Sequence, residues 1–268
     1  AYMDEGEGPH TLLFLHGLGS YAPAWNKNLA LLKDHYRCIA IDFPGYGFSQ
    51  KGNYAFTMSF FAEIVEDFIT TLKLGDVILV GHSMGGQVAM TTAIRQNAAI
   101  EKLVLVAPAG FEPFTEQDKF WTKQMITPSS VRNSSSELIL RNFEWNFATG
   151  KLPNDANFMF GDRVRLKHHK DFELYCNMIP KCAMGMLNEP LFDRLYEINL
   201  PTLITFGRED YLIPNRMLHP TLTTLFVAKR GQQQMANSEL LMLSPCGHFV
   251  QWECADRLNV AILDFVGA

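Results

Sequence analysis

The segment Val77-Ile-Leu-Val-Gly-His-Ser-Met-Gly-Gly86 places Ser83 at the end of an apolar run, with glycine two positions before it and two after. An apolar run of this length reads as a buried strand, and the stretch from Gln87 to Gln96 that follows reads as a helix. A serine on so sharp a strand-to-helix turn is held in a strained backbone conformation. Its neighbours two positions away need to be nearly free of side chain, and Gly81 and Gly85 meet that need. The turn exposes Oγ above the sheet. The helix N-terminus beyond it offers amide N–H groups and a positive dipole end to a developing oxyanion. The competing reading is a glycine-rich turn with an idle serine. A phosphate-binding loop is not supported, because no Lys-Ser or Lys-Thr follows the glycines. A serine hydroxyl is a poor nucleophile at neutral pH, so this chemistry requires a base and an acid that orients it.

The elements that must position these groups can be read from the same rows. Thr11–Leu15, Arg37–Ile41, Val77–Val80, Leu103–Val106, Thr202–Phe206 and Leu240–Leu243 are short, nearly continuous apolar runs. Strands buried on both faces look like this, as in a parallel sheet covered by helices. Between them lie helical patterns. From Met58 to Leu72 the residues Phe61, Ile64, Val65, Phe68, Ile69 and Leu72 share one face. Lys73-Leu74-Gly75 is expected to end that helix, with a cation and a glycine. Ala1 to Gly6 reads as a strand running into a turn. Strand and helix alternate, giving an α/β sheet.

From about Glu112 to Ile198 the strand signals stop. The stretch is rich in aromatics, among them Phe114, Trp121, Phe143, Phe147 and Tyr175, and reads as several helices joined by Pro and Asn turns. Falling between two strands of one sheet, it is expected to be a helical cap over residues 112–198. The core is then 1–111 and 199–268. Leu222 to Gln234 is expected to form a further helix.

At 268 residues and 47% hydrophobic, the chain can bury one sizeable core. A net charge of −5 leaves no basic surplus for phosphates, which argues against a nucleic-acid binder. The basic run from Arg163 to Lys170 is expected to be a solvated helix face. Five cysteines without C-x-x-C spacing suggest free thiols in a reducing compartment, hence a cytoplasmic location, with Cys246 a packing residue. No run approaches the ~18–20 apolar residues of a membrane span. No histidine pair has helical metal-site spacing and no cysteine has zinc spacing, so neither metal nor cofactor is expected.

His16-Gly17-Leu18-Gly19, Asp42-Phe-Pro-Gly-Tyr-Gly-Phe-Ser49 and Gly81-His-Ser-Met-Gly85 resemble the ordered signatures of the α/β-hydrolase superfamily, over nearly the whole chain except the cap. The resemblance implies a mostly parallel sheet flanked by helices, with Ser83 as nucleophile. It also implies the chain order Ser, acid, His. The end of the strand at 103–106 carries no carboxylate in Ala107-Pro-Ala-Gly110. Asp210, in Phe206-Gly-Arg-Glu-Asp210, matches the acid position, and Glu209 is one residue off. His248, after Gly247 and before the last helix, matches the base. The two oxyanion N–H groups map onto Leu18 and Met84. Asp42 maps onto a structural turn, and His16 and His82 onto positions that pack or hydrogen-bond beneath the site. His35, His168, His169 and His219 are expected on the surface or in the cap.

The implied activity is hydrolysis of a small carboxylic ester, or a related acyl substrate with an apolar or aromatic group, through an acyl-enzyme. Carbon–carbon bond hydrolysis, enol-lactone hydrolysis and cofactor-free perhydrolysis use the same triad. A reading from another class is a ligand-sensing signalling receptor that retains the triad.

Overall fold

A computed structural model describes residues 1–267. The elements in chain order begin β1 (Tyr2–Glu5), β2 (Thr11–Leu15), α1 (Asn26–Leu32), β3 (Arg37–Ile41), α2 (Met58–Thr71), β4 (Val77–His82), α3 (Met84–Ile94) and β5 (Ile100–Val106). Five helices follow: α4 (Glu116–Met125), α5 (Pro128–Arg132), α6 (Ser136–Glu144), α7 (Asn157–Arg165) and α8 (Phe172–Asn188). The chain then returns to the sheet with β6 (Thr202–Gly207), α9 (Thr224–Gln232), β7 (Ser238–Leu243), α10 (Val250–Glu253) and α11 (Ala255–Gly267).

The seven strands form one sheet in the order β1-β3-β2-β4-β5-β6-β7. Only β1 runs antiparallel, pairing Tyr2 with Ile41 and Glu5 with Cys38; the other pairings are parallel. Leu12 to Leu15, Val77 to Val80 and Leu103 to Val106 are all buried, which explains their unbroken apolar runs: helices cover both faces. Phe43 packs on Phe61 of α2 with ring centroids 4.8 Å apart. Burying a ring of this size contributes about 2–3 kcal/mol.

The helix boundaries follow local chemistry. Thr57 caps α2 by accepting from the Phe60 amide at 3.1 Å, and Thr223 does the same for α9 through Phe226. Thr115 and Asp118 form a reciprocal capping box on α4. At the end of α2 the expected glycine signal misleads. Lys73, not Gly75, takes the left-handed position, with φ 53°, and the Leu74 amide closes back on the Ile69 carbonyl at 2.9 Å. That closing bond is the one a Schellman ending needs, and it compensates the lysine's strain.

The segment between β5 and β6 contains no strand, as its composition suggested. It sits on the sheet's C-terminal edge through polar ties and a second small core. Glu189 accepts from the Ser59 amide and hydroxyl at 2.7 and 3.0 Å, and the Gln87 amide donates to the Met186 and Glu189 carbonyls, both at 2.9 Å. Phe147, Ala156 and Met159 pack with Ala24, Phe249 and Trp252. No helix among the described residues is long and apolar enough to cross a membrane.

Candidate active site

All strands but β1 run parallel, so the turns that follow them project from one edge of the sheet, where α/β folds bind ligands. Four of these turns converge. Ser83 follows β4, Gly17 follows β2, Asp210 follows β6 and His248 follows β7.

Ser83 is half-buried, with φ 52° and ψ −117°. A non-glycine residue at such an angle costs about 1–3 kcal/mol and persists only where surrounding packing imposes it. Here the packing is tight. A Cβ on Gly81 would overlap the Gly85 carbonyl, and a Cβ on Gly85 would overlap the carbonyls of Leu15 and His16. The elbow can form only because these two side chains are missing.

The His248 Nδ1–H donates to Asp210 Oδ2 at 2.8 Å, with both residues buried. Asp210 Oδ1 accepts the amides of Leu212 and Ile213 at 2.7 and 2.9 Å, so the carboxylate is held by its own turn. Glu209 points away and accepts from the Ser244 hydroxyl and the Cys246 amide. Asp42 also serves a turn, as its position implied: its oxygens accept the Ala22 and Phe48 amides at 2.7 and 2.8 Å.

His82 lies between the serine and the histidine loop. Its ring is 4.8 Å from the His248 ring, and its Nε2–H donates to the His248 carbonyl at 3.1 Å. Its Nδ1 faces Gly17, where a Cβ would stand 2.9 Å away and only 3.1 Å from the Ser83 Cβ. The Gly17–Gly19 turn is thereby pressed against the serine. His16 accepts from the Phe43 amide through Nε2 at 3.1 Å, so its proton is on Nδ1, which donates to the Gly17 carbonyl at 2.9 Å. Burial holds His16 below the usual histidine range, partly opposed by Asp42. Burial, reinforced by His248, holds His82 well below it.

These two neutral imidazoles set a pH dependence of stability. Their folded-state pKa values are depressed from 6.5, so the folded and unfolded states bind the same protons above about pH 7. Below the unfolded value the unfolded chain takes up protons that the folded one refuses, and stability falls. The expected loss approaches about 1.4 kcal/mol per pH unit for each histidine. Glu112, whose carboxyl burial pushes up, opposes this only as pH drops toward the ordinary carboxylate range. Urea unfolding at pH 7 and pH 5.5 is the check: His82→Gln should lose less stability between the two than wild type, and equal losses would contradict the assignment.

Several residues sit where their sequence context did not place them. Cys246 and Cys254, eight apart, are joined as a disulfide across the loop that carries His248, leaving Cys38, Cys176 and Cys182 as buried free thiols. The expectation of five free thiols is corrected; spacing alone could not reveal that α10 turns Cys254 back under Cys246. His219 is no isolated surface residue. It bonds Glu112 through Nδ1 and lies 3.4 Å from Asp118 through Nε2. Arg163 departs from the solvated face expected of its run. Its guanidinium lies 4.5 Å from the Tyr175 ring centroid, and its Nη1 is buried without a hydrogen-bond partner. Tyr175 Oη is 3.7 Å from where a Cβ on Gly19 would be. Next to Arg163, Asp162 accepts from the Tyr21 hydroxyl, which sets α7 over the turn after β2.

The family model described as the alpha/beta hydrolase fold matches residues 10–255. The chain belongs to the α/β-hydrolase family. This α/β-hydrolase is 28% identical to the 2-hydroxy-6-oxononadienedioate/2-hydroxy-6-oxononatrienedioate hydrolase of Burkholderia vietnamiensis, over 99% of this chain and 90% of that protein. Its fold is similar to a probable hydrolytic enzyme of Pseudomonas aeruginosa, with TM-score 0.86 and 22% identity over 98% of this chain and 88% of the other. It is also similar to an esterase of Exiguobacterium antarcticum, with TM-score 0.83 and 21% identity over 100% and 95%.

Proposed function

We propose that this α/β-hydrolase cleaves an acyl bond in a small, carboxylate-bearing substrate, with Ser83 as nucleophile, His248 as base and Asp210 as the acid behind it. The Asp210–His248 bond carries the reading. With its proton on Nδ1, His248 keeps Nε2 as the basic nitrogen and can take the Ser83 proton as Oγ attacks the carbonyl. The amides of Leu18 and Met84 are assigned to the oxyanion, a role supported by the contact of the Gly17 turn with Ser83. Each such donor contributes about 3–4 kcal/mol to the transition state. Collapse of the tetrahedral intermediate leaves an acyl-enzyme, which water then releases. Residues 112–198 act as the cap that selects substrate.

Substrate class follows from Arg163. A guanidinium nitrogen kept from water without an acceptor is costly, and a carboxylate supplies the missing acceptor in a strong, charge-assisted bond. Aromatic side chains beside it, Tyr175 and Phe172, suit a conjugated or aryl body. A second reading shares this subsite: cleavage of a carbon–carbon bond beside a ketone in a dienoic diacid. It is favoured by the unpartnered Nη1 and by the dioate that the Burkholderia vietnamiensis relative's name specifies.

The test compares a neutral aryl ester, its carboxylate-bearing analogue and a 2-hydroxy-6-oxo-dienoic diacid. Arg163→Gln is expected to raise KM for the charged substrates about 10- to 100-fold, the worth of a charge-assisted bond, while KM for the neutral ester stays within about twofold. Equal effects on charged and neutral substrates would remove the carboxylate from the proposal. Turnover of the diacid, but not the esters, would select carbon–carbon cleavage.

A further inference from the structure

We infer that Glu112 is a positioning residue for the acid of the triad, acting through the loop from residue 211 to 219; the inference rests on the proposed role of Asp210. The orientation of the Asp210 carboxylate is that of its turn, because Oδ1 is fixed by the amides of Leu212 and Ile213. What fixes the turn is the question. Residues 211 to 223 contain neither helix nor strand. Their anchors are therefore side chains.

Glu112 supplies the anionic one. It stands just past the end of β5, where the chain leaves the sheet, and is 8% exposed. Both of its oxygens accept the Asn215 amide, at 2.9 and 3.1 Å, two residues beyond the turn that holds Asp210. Its Oε1 also bonds His219 Nδ1. One carboxylate thus grips the loop at both 215 and 219, and the His219 amide closes the interval by donating to the Asn215 carbonyl at 2.7 Å. On the other side of His219, Asp118 faces Nε2 at 3.4 Å while the Thr115 amide and hydroxyl fix it at the start of α4. Phe114 covers the imidazole, ring centroids 5.3 Å apart. Arg216 and Thr224 complete the hold by donating to the Asp210 carbonyl at 3.0 and 3.3 Å.

The arrangement assigns a division of labour. Backbone amides aim Asp210, and Glu112 keeps those amides in place. Both oxygens and the charge contribute. The one oxygen of a glutamine could still accept from Asn215 and His219, but its NH₂ would stand where Oε2 accepts the Asn215 amide, donor against donor, and the charge facing His219 would be lost.

The test is a double-mutant cycle with Glu112→Gln and Asp210→Asn, measured as kcat and KM separately. In the wild-type background Glu112→Gln is expected to lower kcat about tenfold, as small misplacements of catalytic groups do, with KM within about twofold. In the Asp210→Asn background the same change should alter kcat less than about twofold, because the carboxylate whose aim Glu112 secures is then absent. His219→Gln, which leaves the Asn215 contact in place, should show a smaller kcat loss with the same dependence on Asp210. An equal kcat loss in both backgrounds would overturn the inference, since Glu112 would then act through the fold or the cap. So would an unchanged kcat in Glu112→Gln.

A second readout does not need turnover. The low-field proton resonance of the His248 Nδ1–H reports its bond to Asp210. It should shift or broaden in Glu112→Gln at a temperature where melting shows the variant folded, and an identical resonance overturns the inference. Absence of Ser83-dependent hydrolysis in the wild type would instead remove the proposed function, and the resonance would still decide the positioning.

Discussion

Replacing Ser83 by alanine is expected to lower kcat about 10⁵-fold or more on any substrate the enzyme turns over, while binding changes little. The reason lies in what remains. The Ser83→Ala variant keeps the amides proposed for the oxyanion, the His248–Asp210 pair and the proposed Arg163 subsite, and such residual sites accelerate hydrolysis only about 10³- to 10⁴-fold over water. Removal of one hydroxyl also adds no bulk to the strained turn, so the loss is chemical rather than structural. Thermal melting of the variant within a few degrees of wild type would confirm that. The check is pre-steady-state hydrolysis of a chromogenic ester: the wild type should show a burst of one acyl group per chain, and Ser83→Ala none. Retention of more than about one per cent of wild-type kcat/KM would end the proposed role of Ser83.

Asp210→Asn is expected to cost about 10⁴ in kcat, with the geometry of the site nearly unchanged. Asp210 has two oxygens with different duties: Oδ1 accepts two amides and Oδ2 accepts the His248 Nδ1–H. Asparagine has one oxygen. The two amides claim it, because they would otherwise be left unpaired in a buried turn, and the NH₂ group is turned toward His248. A donor facing Nδ1 makes Nδ1 the acceptor and moves the imidazole proton to Nε2. The nitrogen that should receive the Ser83 proton then already carries one. Asparagine is therefore worse than a mere loss of charge, because it selects the wrong tautomer. Steady-state kinetics of Asp210→Asn and Asp210→Ala test this: alanine, which imposes no tautomer, should be no worse than asparagine. A loss of under about tenfold in Asp210→Asn would place the acid elsewhere.

How much of this was legible in the amino-acid order depends on the range over which each signal acts. The strands could be read because burial on both faces leaves an unbroken apolar run, as at Leu12–Leu15 and Val77–Val80. The elbow could be read because its steric demands fall on residues two positions from Ser83. Asp210 and His248 each lie on a short, recognisable turn, and the structure brings the two together. Glu112, His219 and Arg163 gave no such signal. The first two are 107 positions apart, and neither glutamate nor histidine has a local partner that betrays it. Arg163 sits in a basic run that looks solvated, and only the folding of α7 against Tyr175 and the turn after β2 takes its Nη1 out of water. The ending of α2 failed for a different reason. Glycine is the usual left-handed residue, but at Lys73 the closing bond from Leu74 to Ile69 outweighs the preference. The Cys246–Cys254 pair was hidden because α10 reverses the chain, and spacing along the sequence does not encode a reversal.

The strand order has a consequence for how this enzyme comes into being. Ser83 leaves the ribosome early, with β4 at the middle of the sheet, while Asp210 and His248 arrive on the last two strands added at one edge. The long helical segment must be synthesised in between. The nucleophile proposed at Ser83 is therefore made well before the acid and base proposed for it, and Ser83-dependent activity is expected to appear only once β7 has docked onto β6.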